Sequence, residues 1–400
     1  MFLIGCSVIG ASSLLMAADW PQWRGPNRDG KTDGFDNPER WPNQLVQKWK
    51  VSVGVGDSTP ALVGERLFAF GRQAEDEVLQ CLNADTGKQV WENRYSAGHV
   101  VTGPPARHPG TRSSPAVADG RICVLGVGGI LSCLDASTGK LLWRKQSVED
   151  YQGVPFKVDT AMSPIIVDGS CVVHIGGKTN GAMFAFDVAS GESKWKWDGG
   201  GPACSSPVVM LNGGTKQLVT LTAKHVIGLN LGNGKLLWQI PFEAAQGNNT
   251  TPIIDGQTVV YTGQGKGMFA VRIEPQGESF AAVPIWTNSA LGPRFTTPIL
   301  KDGILFGYHN HFFCADAKTG AAVWADGVNR GNSAALVDAG PVIFATTVNS
   351  ELVTFKPTEK EYTELARIKV ADTEIWAHPV ISGKRVYVRD RENVALWEFE

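Results

Sequence analysis

Three arginines stand where an anion could be gathered. Arg112, Arg294 and Arg330 each come shortly before a Ser or Thr that opens a first strand, and guanidinium groups converging on one point would clamp a carboxylate or another anion. The competing assignment is salt bridging between neighbouring packing units. His378 takes the slot that holds Ser or Thr in seven related segments, so it is expected to face a shared opening as a ligand contact or proton shuttle. The plainer reading is a solvated polar side chain. Asn249 and Trp376 lie in the unusual segments Gln246–Asn249 and Asp372–His378 and complete the candidate ligand-binding set. His309 and His311 are two apart, so on a strand they would share a face and could chelate a metal, although no third ligand is identifiable.

Cys123 and Cys133 flank Gly128-Gly129. A hairpin there would set them opposite each other, and an oxidising compartment would allow a cross-strand disulfide. Cys81, Cys133 and Cys314 also recur at one position of a repeat, which Ala185 and Gly228 share. That favours small, buried core residues. Short catalytic patterns are absent: there is no G-x-S-x-G, no H-E-x-x-H and no G-x-x-x-x-G-K-[ST]. No catalytic residue and no metal ligand set is assigned.

The elements that position these residues come from internal repetition. Each unit opens with a hydroxyl residue and proline: Thr59-Pro60, Ser114-Pro115, Ser163-Pro164, Ser206-Pro207, Thr251-Pro252 and Thr297-Pro298, with Ser333-Ala334 and His378-Pro379 as variants. Each clear closing turn reads like Asp135-Ala-Ser-Thr-Gly-Lys-Leu-Leu-Trp143, with cognates ending at Trp91, Trp195, Trp238 and Trp324. Between them lie Asp119-Gly120, Asp168-Gly169, Asn212-Gly213, Asp255-Gly256 and Asp302-Gly303, residues that accept the positive φ angles of two-residue hairpins. Proline at the head of a strand fits an edge whose N–H needs no partner. The spacing predicts four antiparallel strands per unit, with one edge facing a central axis.

Eight openings predict eight blades. The last unit stops after three strands at Leu396–Phe399, and the missing strand is supplied by Gln47–Val53, with Trp49 in the closing-tryptophan slot. From there to the end of the chain each blade averages about 44 residues, close to the roughly 40–45 typical of four-stranded blades. One all-β, eight-bladed propeller over residues 45–400 is therefore expected, sealed by strands from both chain ends. The interblade loops share a face with the loops between second and third strands, and that face carries the long, variable segments. Binding concentrates on such loops. The other face carries the short, stereotyped turns.

Composition agrees. The chain has 400 residues, with Lys+Arg 37 against Asp+Glu 39, which argues against a nucleic-acid partner; Gly 46 and Trp 13 fit many turns and packed blades. Residues 1–18 carry no charge and are small or apolar, as in an export signal. The stretch Leu3–Cys6 also matches a lipoprotein box. No later segment is apolar for long enough to span a bilayer. Residues 19–44 are expected to form a strap on the outside of the propeller.

The D-x-x-T-G-K-x-x-W turn resembles the repeat of pyrroloquinoline-quinone-type propellers, a family that includes quinoprotein alcohol dehydrogenases and the non-catalytic BamB-like assembly factors. Asp19–Gly30, DWPQWRGPNRDG, looks like the opening of secreted BamB-like propellers of the planctomycete type. The resemblance implies that the repeated tryptophans glue blades together. It also implies that a dehydrogenase member would hold pyrroloquinoline quinone and Ca²⁺ in the axial channel, often against an adjacent-Cys disulfide. This chain lacks the adjacent pair. The reading is a periplasmic or otherwise envelope-exposed monomeric scaffold without a cofactor, binding envelope proteins or polysaccharide. The alternative is a quinone- and Ca²⁺-dependent dehydrogenase of alcohols or sugars.

Overall fold

The structure is a computed structural model that describes residues 18–97, 104–147, 149–153, 161–177, 179–245 and 247–400. The signal and lipoprotein readings of residues 1–17, and most of one long variable-face segment, residues 152–160, lie outside the described residues. An N-terminal segment leads into strand β1 (Val46–Ser52), and a run of four-stranded units follows. Blade 1 is β2 (Ala61–Val63), β3 (Arg66–Gln73), β4 (Asp76–Asn83) and β5 (Gln89–Ser96), and the pattern continues to β29 (Glu364–Lys369) in blade 7. Blade 8 takes β30 (Val380–Ser382), β31 (Arg385–Arg389) and β32 (Asn393–Glu398), then completes itself with β1. Val46 lies opposite Glu398 and Ser52 opposite Asn393. The eight-bladed ring and its closure by both chain ends follow the repeat.

Local chemistry explains the regularity. Asp119, Asp168 and Asp302 adopt positive φ with the glycines that follow them, the backbone of a tight hairpin turn. In the closing turns Asp135 Oδ1 accepts from the Ser137 and Thr138 N–H groups, at 3.0 and 2.8 Å. The turn glycine has a second task. Trp91 lies over Gly139 of the next blade, and its Nε1 donates to the Ala136 carbonyl at 3.2 Å. Trp49, Trp143, Trp195 and Trp286 dock on Gly87, Gly191, Gly234 and Gly320 in the same way. Trp238 departs from this rule. The hairpin of β20 (Gly267–Gln276) and β21 (Ser279–Asn288) replaces the short turn it would cover, and its Nε1 donates instead to Gln217 Oε1.

The hydroxyl openings form a belt around the axis. The Thr59 N–H donates to Ser114 Oγ, Ser114 to Ser163, Ser163 to Ser206, and Thr251 to Thr297, each at 2.9 Å. His378 donates its backbone N–H to Thr59 Oγ1 at 3.0 Å. On these five steps a side-chain acceptor ties one blade to the next where the proline that follows each opening residue cannot donate.

The N-terminal segment overturns one expectation: it does not strap the outside. Trp20 exchanges backbone hydrogen bonds with Leu62, the Pro21 carbonyl accepts from Val117, and Thr32 and Gly30 bond Asp338. These partners lie on the innermost strands and their turns, so the segment enters the axial channel from the stereotyped-turn face. It leaves between blades 7 and 8, where Phe35 packs on Phe344 and Phe399 beside Trp41, and then feeds β1.

Candidate functional site

On the variable face, loops from distant blades meet over the channel mouth. Trp376, from the blade 7–8 connection, is met edge-on by His108 of the blade 1–2 connection at 4.9 Å. Phe295 of the blade 5–6 connection meets it edge-on from another side at 5.3 Å. Blades 2 and 6 face each other across an eight-membered ring, so this chain of rings crosses the axis. The Arg294 guanidinium lies 4.4 Å over the Phe295 ring, a cation–π contact. His108 Nδ1 pairs with Asp57 Oδ2 at 2.8 Å, and the Trp376 indole N–H donates to Glu374 Oε2 at 3.1 Å. Arg391 reaches across to the Arg107 carbonyl at 2.7 Å. The rings remain half-buried, so an aromatic, partly cationic platform is presented outward. Such surfaces grip protein side chains or sugar rings.

The expected site residues separate. Arg294 and Trp376 come together in this cap, and Asn249 is half-buried in its own interblade loop. Arg112 is half-buried, with its Nε and Nη2 enclosed and without hydrogen-bond partners. Arg330 is not a ligand contact. It is buried in the wall between blades 6 and 7, ion-paired with buried Asp326 and with Glu364, and stacked between Phe312 and Tyr362 at 4.7 and 5.5 Å. The three arginines therefore do not converge on one anion. His309 and His311 sit on a hairpin turn around Asn310, not along a strand, and among the described residues no group of three His, Cys, Asp or Glu is placed to hold a metal. Cys123 and Cys133 do face each other across β7 (Arg121–Leu125) and β8 (Leu131–Asp135), but as free buried thiols. Burial pushes the Cys123 thiol well up, helped by hydrogen bonding with Cys133 and Cys171.

His378 is buried rather than solvated. Its ring meets Trp23 edge-on at 4.7 Å, and burial, followed by the nearby Arg24 charge, holds its imidazole well below the usual range. It is neutral at pH 7. Trp23 in turn donates its indole N–H to Thr251 Oγ1 of the belt at 3.1 Å. Below it, Arg24 donates to the Thr297 and Pro298 carbonyls, both at 3.0 Å, and Arg28 to the Pro164 and Ser163 carbonyls at 3.0 and 3.1 Å. Sequence reasoning placed none of Trp23, Arg24 and Arg28 on the axis. Nor does it single out His108 or Phe295.

The family model described as "Outer membrane protein assembly factor BamB" matches residues 74–326. The chain belongs to that family. It is 24% identical over 363 residues to the outer membrane protein assembly factor BamB of Burkholderia pseudomallei, covering 86% of this chain and 85% of the relative. Among solved structures, BamB from Moraxella catarrhalis superposes with a TM-score of 0.65 at 14% identity, over 89% of this chain and all of that one. The quinohemoprotein alcohol dehydrogenase of Comamonas testosteroni gives 0.67 at 15% identity, over 95% of this chain and 80% of that one. At these identities the structures share the fold alone.

The family therefore raises a calcium–quinone site in the channel, and the residues present do not fit one. Ca²⁺ takes six to eight oxygen ligands, with carboxylates prominent. Here two buried guanidiniums sit on the axis with Asp29 beside Arg24, the belt is hydroxyl with one neutral imidazole at His378, and the stereotyped-turn half of the channel is filled by the chain's own Trp23, Arg24 and Arg28.

Proposed function

We propose that this protein is a non-catalytic binding or assembly scaffold of the cell envelope, exported by its N-terminal segment, that meets envelope proteins or polysaccharide on its variable face. The observation that carries the reading is the cap of His108, Phe295 and Trp376, drawn from three separated loops onto one outward platform. A rigid ring that gathers its variable loops around one half-buried aromatic patch is suited to docking. The family's assembly-factor members support a partner of the envelope. Among the described residues no helix is long and apolar enough to cross a membrane.

The test is a combined Arg294→Ala, Phe295→Ala and Trp376→Ala variant used as bait in cross-linked envelope extracts. Its partners are expected to disappear while its circular dichroism matches the parent. Retention of every partner would show that the platform is not the docking surface. Binding on a glycan array would assign the patch to polysaccharide.

The alternative is a quinone- and Ca²⁺-dependent dehydrogenase, against which the channel lining speaks. Titration with pyrroloquinoline quinone and Ca²⁺ separates the two. A ligand at 100 times its Kd adds about 2.7 kcal/mol of stability, so one cofactor per chain would be evident as a saturable rise in melting temperature, and its absence would favour the scaffold.

A further inference from the structure

We propose that the stereotyped-turn half of the axial channel is a peptide-binding site, built to recognise the W-x-x-W-R-G-x-x-R-x-G sequence and occupied in cis by residues 19–32. The inference is independent of what the variable face binds. Propeller channels are open at both ends by construction, and nothing in a ring of blades requires a filler. Here the filler makes hydrogen bonds to seven of the eight blades, through Leu62, Val117, Pro164, Thr251, Thr297, Asp338 and Ile381.

The contacts read sequence, not merely bulk. Arg24 is buried, with Nη1 and Nη2 on the Thr297 and Pro298 carbonyls of blade 6 and Nη2 also on the Asp29 carbonyl at 3.0 Å. Arg28 is buried and forks onto the Ser163 and Pro164 carbonyls of blade 3, with Nη1 also on Gln22 Oε1 at 3.0 Å. Blades 3 and 6 lie well apart around the ring, so two planar guanidiniums brace it from within. A lysine offers no such fork. Both arginines stay charged at neutral pH, although burial draws Arg24 down to about 10 and Arg28 to about 9. Neither forms an ion pair; carbonyl oxygens take their Nη groups, the Asp29 charge partly offsets burial at Arg24, and Arg28 Nε is enclosed without a partner.

The small residues of the motif are equally specified. Gly25 has φ +82, and a Cβ there would sit 2.9 Å from the Lys31 carbonyl and 3.1 Å from the Trp20 ring. Gly30 has φ +80, and a Cβ would press on the Arg24 guanidinium at 3.0 Å. Only glycine gives that backbone without strain and leaves room for those neighbours. Trp20 is fully buried, and Trp23 reaches the belt and His378. Trp23, Arg24 and Arg28 therefore meet partners in the channel, while Gly25 and Gly30 let the segment fold back on its own Trp20, Arg24 and Lys31 to present them.

A site of this kind should hold its peptide after the covalent link is cut. A protease recognition sequence inserted between the exposed Glu39 and Arg40 in the full chain allows that cut in the folded protein. The released N-terminal fragment is expected to co-elute with the ring on gel filtration. It should exchange, one per ring, with a labelled synthetic peptide of residues 19–36. The same peptide carrying Arg24→Lys and Arg28→Lys is expected to exchange at least 100-fold more weakly. Loss of the fragment on cutting, or exchange that does not distinguish the two peptides, would overturn the proposal.

Discussion

His174 gives the sharpest test of how this ring is packed. It lies on β11 (Ser170–Gly177), is 2% exposed, and its Nε2 hydrogen-bonds the Gly200 carbonyl at 2.8 Å. Burial draws its pKa from 6.5 to about 4, partly offset by that bond. The folded protein therefore refuses a proton that the unfolded chain accepts. Stability is intact above pH 6.5 and is lost as pH falls towards 4. At 1.36 kcal/mol per unit, the loss from this residue reaches about 2 kcal/mol at pH 5 and about 3 kcal/mol at pH 4. A His174→Gln variant keeps an amide donor for Gly200 and cannot titrate. Urea unfolding of parent and variant across pH 4–7.5 should show the variant weaker at pH 7 by about 1 kcal/mol and stronger below pH 5. Parallel curves over that range would refute the assignment of a neutral, buried imidazole.

Three further outcomes are expected. Glu77 is buried, accepts the Tyr95 hydroxyl at 2.6 Å and the Val127 N–H, and its carboxyl is pushed up by burial; that contribution is full at low pH and fades as pH rises, so Glu77→Gln should gain on the parent in unfolding assays as pH is raised from 5 to 8. Gly139→Ala places a methyl against Trp91 at φ +71 and should cost about 1 kcal/mol for the backbone plus about 1–3 for overpacking, whereas Gly120→Ala, at φ +72 in open space, should cost only the first term, as read by melting. Arg330→Met strands the Asp326 carboxylate in the wall between blades 6 and 7 and should cost about 3–5 kcal/mol, much of it recovered by adding Asp326→Asn.

What the sequence made legible was whatever repeats. The Asp-Gly hairpins, the Ser/Thr-Pro belt and the Trp-to-Gly docking are each a local solution used several times, so pattern alone gave eight blades and the closure through Trp49. The register of Cys123 against Cys133 followed from the hairpin between them, but not their bonding, which depends on the surrounding core and on redox conditions. Arg330 follows the competing salt-bridge assignment rather than the anion clamp, a choice that depends on tertiary partners. Asp326, four residues earlier, was the available signal. The channel segment, by contrast, was misplaced. Arg24 and Arg28 bind backbone carbonyls of Thr297, Pro298, Ser163 and Pro164, and a carbonyl leaves no trace in residue identity. The hint was two arginines set among glycines and tryptophans, ahead of the first repeat. The cap was half visible: Arg294 and Trp376 were singled out, while His108 and Phe295 needed the ring to bring blades 2 and 6 over one opening.

Site-specific photo-crosslinking tests most directly whether the variable face docks an envelope partner. A photoreactive amino acid at position 376, on the cap, is compared with one at position 318, in an exposed closing turn of the opposite face, both in cells that make the protein. A discrete cross-linked envelope partner is expected from position 376 and none from position 318. Capture of the partner from position 318 alone would contradict docking on the variable face.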